Sequence, residues 1–202
     1  MAAEPSKWEQ IVAADPGHSI RYIQRFRDMA ANGQDLDGEA RMIDAMVPRN
    51  ARILDAGCGP GRVGGRLHNL GHTVVGVDVD PALIQAAHHD HPGPTWLVGD
   101  LADLDLPARG ITEGFDAIVC AGNVMGFLAP STRTEVLRRF ASHLAPTGRV
   151  AIGFGQGRGY DFGAFMRDAD ASGLRTELVL STWDLHPFVD GSTFLVAVFG
   201  RA

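Results

Sequence analysis

An acid and three glycines offer the first chemistry in this sequence. Asp55 closes a short apolar run in RILDAGCGPGRVGG (residues 52–65), and Gly57, Gly59 and Gly61 follow at alternate positions. Glycine permits positive φ and lets a ligand approach the main chain closely. Three glycines in five residues, behind a carboxylate, exceed what a plain strand-to-helix turn requires. A carboxylate here suits a ligand carrying an ammonium group and opposes a pyrophosphate. The dinucleotide fingerprint GxGxxG/A would also need Gly or Ala where Arg62 stands. A second acid, Asp78, ends the run VVGVD about 20 residues after the first glycine, where a carboxylate can hydrogen-bond both hydroxyls of a ribose. Asp78 alone does not choose among nucleoside ligands.

These residues must be carried by strands and turns. Segments 51–56, 72–78, 95–100, 115–121 and 148–154 are apolar nearly throughout, which suits parallel strands covered on both faces. Helical patterns alternate with them. In DPALIQAAHH, Asp80 is placed as N-cap and Pro81 as first helical residue. In STRTEVLRRFASHL, Thr132 and Glu135 read as a capping box, with Val136, Leu137, Phe140 and Leu144 on one face and Pro146 and Gly148 beyond its end. The alternation implies an α/β doubly wound sheet with helices on both faces. After a helix over 162–173, two strands (175–185 and 192–201) are joined only by HPFVDG, too short for a parallel crossover. The expected architecture is therefore a mainly parallel seven-stranded sheet with an antiparallel C-terminal hairpin. Before the first strand, Ile20, Ile23, Phe26 and Ala30 have helical spacing, and 36–46 reads as a second helix.

Composition narrows the partners. The 202 residues carry 18 Lys+Arg against 24 Asp+Glu, a net charge of −6, which disfavours nucleic acid and anionic membranes. No apolar run approaches the ~20 residues of a membrane span. The first ten residues, MAAEPSKWEQ, lack a secretory pattern, and Cys58 and Cys120 lack CxxC spacing, so reduced thiols in the cytoplasm are expected. His88, His89 and His91 sit at a predicted helix C-terminus, where histidine favours the dipole without a metal; no metal site is expected. The sequence gives no reading of oligomeric state.

ILDAGCGPGR resembles the first motif of the class I S-adenosylmethionine (SAM)-dependent methyltransferases, and the likeness continues in order through VVGVD, WLVGDLADL, FDAIVCAGNVMGF and the closing hairpin, over roughly residues 45–202. The resemblance implies a Rossmann-like domain over 48–202 and a helical N-terminal lid over 1–47. It implies SAM as cofactor and S-adenosylhomocysteine as product. The implied cofactor contacts are Asp55, Ala56, Gly57, Cys58, Gly59 and Gly61 in the first turn, and Asp78 and Val79 after the second strand. Gly99, Asp100 and Leu101 would lie on the adenine side, and Ala121, Gly122 and Asn123 on the methionine side. Asp78→Ala is expected to weaken SAM binding with little change in the stability of the free protein. Two other readings stand beside methyl transfer: a non-catalytic SAM-binding protein and an NAD-dependent oxidoreductase, the latter opposed by Asp55 and Arg62.

By resemblance, the reaction is in-line transfer of the sulfonium methyl to a small-molecule acceptor, which demands alignment more than acid–base chemistry. Candidate substrate contacts fall in three places. These are the N-terminal helix with His18, Tyr22 and Arg25; the segment GQGRGYDF with Arg158 and Tyr160; and the stretch STWDLHPF with Trp183, Asp184, His186 and Phe188. Tyr22, Tyr160 and His186 are the candidate catalytic groups, His186 first because its unperturbed pKa lies near neutrality.

Overall fold

The structure, a computed structural model, describes residues 4–202. Residues 1–3, which enter both the reading of the first ten residues and the 1–47 segment, lie outside the described residues. Seven strands form one sheet: β1 (Arg52–Ala56), β2 (Thr73–Asp78), β3 (Thr95–Val98), β4 (Phe115–Cys120), β5 (Leu144–Gly155), β6 (Leu174–Leu180) and β7 (Phe194–Arg201). Their order is β3-β2-β1-β4-β5-β7-β6. Strands β1 to β5 pair in parallel, while β7 runs antiparallel to both β5 and β6. The strand order reverses between β1 and β4, and a crevice at such a point is where ligands of open α/β sheets bind.

The pleat sends alternate side chains of β1 to opposite faces. Ile53 faces α3 (Gly38–Met46) and α4 (Arg62–Asn69), packing with Ala40, Met42, Ile43, Val63 and Leu67. Leu54 and Ala56 face the other side, where α7 (Arg133–His143) and α8 (Phe162–Ala171) supply Val136, Leu137, Phe140, Phe165 and Ala169. The helix α5 (Pro81–Asp90) is packed on two sides. Ile84 and Ala87 meet Trp96 and Cys58, while Leu83 and Ala86 meet Ile23 of α2 (His18–Ala31). Trp8, on α1 (Lys7–Ala14), packs beside that contact. Asp80 caps α5, its carboxylate accepting from the Ala82 N–H at 2.8 Å, with Pro81 as the first helical residue.

Three details differ from the sequence reading. Ile20 is exposed, and the inward stripe of α2 is Ser19, Tyr22, Ile23 and Phe26. Thr132 makes no capping bond to α7; its hydroxyl donates to the Ala129 carbonyl at 3.0 Å, and Glu135 pairs with Arg138 and Arg139. The strand expected over 175–185 ends at Leu180, because Trp183 leaves the sheet to lie over Gly153 and the chain turns back through a bridge between Leu180 and Pro187. The hairpin is antiparallel even with this longer connection. Among the described residues, no helix is long and apolar enough to cross a membrane.

Candidate functional site

The turn after β1 is fixed by main-chain bonds. The Gly57 and Cys58 N–H groups both donate to the Val77 carbonyl, at 2.8 and 3.1 Å, and the Gly61 N–H donates to Cys58 at 3.0 Å. Asp55, 2% exposed, accepts from the Gly64 N–H at 2.8 Å. Asp78, 9% exposed, accepts from the Gly59 N–H at 2.8 Å and the Asp80 N–H at 3.0 Å, one on each oxygen. A carboxylate offers about four acceptor sites, so each Asp78 oxygen keeps one for a ligand. Burial pushes Asp55 up to about 7, opposed by the Gly64 N–H and the Arg62 charge. Burial likewise pushes Asp78 up to about 6, opposed by the N–H groups of Asp80 and Gly59.

The three glycines are not equivalent. At Gly61, φ is +84°, and an added Cβ would lie 2.8 Å from the Ala87 Cβ and 3.0 Å from the Trp96 ring. Gly57 lies under the Val124 side chain. These two are demanded by the protein's own packing. Gly59 is different: a Cβ there would meet only Tyr22 Cε1, at 3.8 Å. Its main chain is the part of the turn left bare toward open space.

That space is a cleft of about 970 Å3, mouth included. Its floor is formed by the strand ends and their turns, with Asp55, Gly57, Cys58, Gly59, Asp78, Val79, Gly99, Asp100, Leu101, Ala121 and Gly122 among the lining residues. Its roof comes from the N-terminal helices and α6 (Val124–Phe127), which bring Trp8, Tyr22, Phe26 and Phe127 over it. The Trp8 ring meets Tyr22 edge-on at 5.1 Å and Phe127 at 5.8 Å, and Tyr22 meets Phe26 at 5.0 Å. Arg25 lies outside the lining and covers the Tyr22 and Phe26 rings, at 5.0 and 5.1 Å. Burial raises the Tyr22 phenol above its usual value, and the Arg25 charge opposes this.

Among the described residues, four carboxylates line the cleft, Glu9, Asp55, Asp78 and Asp100, against one basic side chain, Arg62. Arg62 is already paired with Glu39 through contacts of 2.8 and 2.6 Å and bonds the Leu36 carbonyl. The cleft therefore presents a negative field to its contents and fits a cation that carries a sugar diol. SAM, with its ammonium, sulfonium and ribose, answers that description. A dinucleotide diphosphate does not.

Three residues expected to touch the cofactor fall outside the lining. Ala56 is buried with the α7 side of the sheet, Gly61 faces Ala87 and Trp96, and Asn123 turns away, its Oδ1 accepting from the Gly155 N–H at 2.8 Å. Tyr160 is a core residue. It is 4% exposed, its hydroxyl donates to Asp168 at 2.6 Å, and Arg133 covers its ring. The His186 side chain is 70% exposed, 3.5 Å from Asp184, and away from the lining. Trp183 and Phe188 pack on the core, and His18 meets the Trp8 ring edge-on at 5.0 Å, outside the lining. Arg158 packs on Gly126, with its carbonyl accepting from Lys7. Of the histidines at 88–91, His91 packs on Gly65 and His89 bonds Asp90.

Sequence reasoning missed Trp8, Glu9, Phe26, Leu83 and Phe127 as lining residues. A signal for the first helix was present. Ser6 and Glu9 form a reciprocal capping box, the S-x-x-E pattern that marks a helix start. The expectation that Asp78→Ala leaves the free protein unchanged is also revised. Its carboxylate ties two N–H groups of adjoining turns, and removing it strands both.

A family model described as "Methyltransferase domain" matches residues 53–148. The crystal structure of a TehB-like SAM-dependent methyltransferase from Corynebacterium glutamicum superposes with a TM-score of 0.88 and 52% identity, covering 93% of this chain and 100% of that one. This chain belongs to the SAM-dependent methyltransferases. More distant relatives of this methyltransferase share only part of its length. A dTDP-3-amino-3,6-dideoxy-alpha-D-glucopyranose N,N-dimethyltransferase from Streptomyces fradiae is 30% identical over 125 residues, 59% of this chain and 47% of that protein. A ubiquinone biosynthesis O-methyltransferase from Xanthomonas axonopodis is 28% identical over 146 residues, 64% of this chain and 59% of that protein. The chain thus spans about half the length of the curated relatives it matches.

Proposed function

We propose that this methyltransferase carries a methyl group from SAM to a small-molecule acceptor enclosed between the turn at 121–124 and the aromatic roof. The cofactor supplies an electrophilic methyl on an already cationic leaving group. The protein's own residues bind, orient and exclude water. Asp78 takes the ribose hydroxyls on its free acceptor sites, and Asp55 faces the ammonium. Val79 and Leu101 flank the base, with Asp100 at its edge, and the Gly57–Gly59 main chain carries the methionine part. Ala121 and Gly122 leave room beside the reacting centre. Trp8, Tyr22 and Phe127 shield that centre, and exclusion of water strengthens each charge interaction inside. Glu9 and Tyr22 are the lining groups on the roof able to hold a proton; His186 and Tyr160 have no part in this scheme.

The observation that carries the reading is the pair of buried carboxylates, Asp55 and Asp78, that line the cleft together with the bare Gly59 main chain. A small acceptor is favoured because the two helices of the roof already occupy the mouth, and the names of the aminosugar and ubiquinone-pathway relatives point to small molecules. In this reading the lid is α1 and α2, and α3 belongs with the layer covering the sheet. Free, buried Cys58 and Cys120 suit a reducing cytoplasm.

Titration calorimetry with S-adenosylhomocysteine tests the cofactor site. Wild-type protein should bind, and Asp78→Ala should bind about 100-fold more weakly, as expected for losing two hydrogen bonds to a charged group. Folded wild-type protein that takes up neither SAM nor S-adenosylhomocysteine would sink the proposal. An acceptor panel scored for methyl transfer then tests the substrate class.

A further inference from the structure

Asp80 is 6% exposed and carries more bonds than its capping role requires. Oδ1 accepts from the Ala82 N–H at the start of α5, at 2.8 Å. Oδ2 accepts from Trp8 Nε1 on α1 at 2.9 Å and from the buried Ser19 hydroxyl on α2. The Asp80 N–H donates to Asp78 Oδ1 at 3.0 Å. One residue therefore joins both N-terminal helices to the turn that presents Asp78 to the cleft.

The other polar ties from these two helices to the rest of the described residues lie in exposed positions. Lys7 donates to the Arg158 carbonyl at 3.2 Å and Arg27 pairs with Asp90 at 2.9 Å, while just ahead of α1 Glu4 accepts from the Ser131 hydroxyl at 2.6 Å. Such contacts are screened by water and contribute little. The rest of the attachment is by packing: Ile23 against Leu83 and Ala86, the Trp8 ring on Phe127 at 5.8 Å, and Arg62 over the Phe26 ring at 5.6 Å; such contacts are less directional than a hydrogen bond. Trp8, Tyr22 and Phe26 all line the cleft, so α1 and α2 enclose part of whatever it holds, and how firmly they close bears on how a cofactor enters or leaves. The affinity of a ligand enclosed by a closed lid falls with the fraction of molecules that reach that state.

We propose that Asp80 is a positioning residue: a latch that holds α1 and α2 closed over the cleft and thereby sets how long the cofactor stays. This rests on the proposal that the cleft holds SAM. The latch acts through Trp8 and Ser19 and not through contact with the ligand. Its N–H bond to Asp78 joins the latch to the cofactor's ribose anchor.

Asp80→Asn separates the latch from the cap. Asparagine is as good an N-cap as aspartate, so its carbonyl can still serve Ala82. Its amide NH2 is a donor and cannot accept from the Trp8 indole. Ser19→Ala removes one latch bond from a side chain outside the lining, and covers the case in which Asp80→Asn folds poorly. The readouts are the dissociation rate of S-adenosylhomocysteine, followed by competition, and hydrogen exchange across the whole free chain. We expect each variant to release the ligand faster, by roughly tenfold for Asp80→Asn on the scale of one lost charge-assisted bond. Exchange should rise over residues 7–31 and stay unchanged in α7 and β5. Unchanged exchange over 7–31 would overturn the latch, as would faster lid exchange with unaltered ligand release. A rise spread evenly over the chain would show a merely structural role and also overturn it. If wild-type protein bound no S-adenosylhomocysteine, the cofactor reading would fail, and exchange over 7–31 would still decide whether the latch exists.

Discussion

The floor and the roof of the cleft are built by different means. The floor is main chain tied to main chain and to buried carboxylates: Gly57 and Cys58 on Val77, Gly59 on Asp78, Gly64 on Asp55. The roof is held by side chains, with rings in edge contact, one apolar patch and the single carboxylate of Asp80. Each floor bond is anchored on the ends of β1 and β2, so forming the sheet forms it. Each roof contact is made by side chains with rotational freedom, on helices that stand outside the sheet. The floor should therefore respond to change as one cooperative unit, and the roof should open without it.

The largest effect expected from a single substitution is on the floor. Gly61→Ala forces a side chain into left-handed φ and presses its Cβ on Ala87 and Trp96. The cost should be about 3 kcal/mol, from strain and overpacking together, read as a lower urea midpoint with unchanged slope. A change that left global stability intact and altered only ligand binding would break the comparison, because the turn would then yield locally.

Next in size is the response to pH. Asp55 and Asp78 are raised by burial from 3.8 to about 7 and about 6. The folded free protein thus holds protons that the unfolded chain releases. Their stabilising share is complete below roughly pH 4 and is lost progressively as pH rises to about 6 for Asp78 and about 7 for Asp55. Affinity for a cationic ligand should move the other way, rising over the same range as the carboxylates ionise. Asp55→Asn should flatten both slopes when urea melts and titrations are repeated across pH. Parallel slopes for stability and affinity would contradict the assignment of these two acids.

The smallest effect is expected at the edge of the roof. Arg27→Ala removes the exposed pair with Asp90, and the melting temperature should stay within the scatter of repeated measurements. A marked loss would mean that the roof is held at its rim and not through Asp80.

The same contrast explains what was legible in the sequence. The strands, Asp55 and Asp78 follow from local pattern, because apolar runs and the acids that end them are read within a few residues of one another. Ala56, Gly61 and Asn123, which the resemblance implied at the cofactor, fall outside the lining of the cleft. Spacing marks a turn but does not tell which glycine faces Trp96 and which faces open space. The roof was largely hidden. Trp8 reaches Asp80, and Phe127 reaches Trp8, across distances in sequence that no periodicity records. His186 and Tyr160 were misplaced because a residue's chemical type carries no information on whether it ends in solvent or in the core.

The two helices that enclose the cleft enter the molecule ahead of the first strand and lend no strand to the sheet. On the proposed function, choice of acceptor can therefore drift by substitution at positions 22 and 26 while the carboxylates of the floor and the ties of Trp8 and Ser19 to Asp80 stay as they are. An exchange of this segment between relatives, keeping Asp80 and its two partners, would transplant a taste for one molecule onto an unaltered engine.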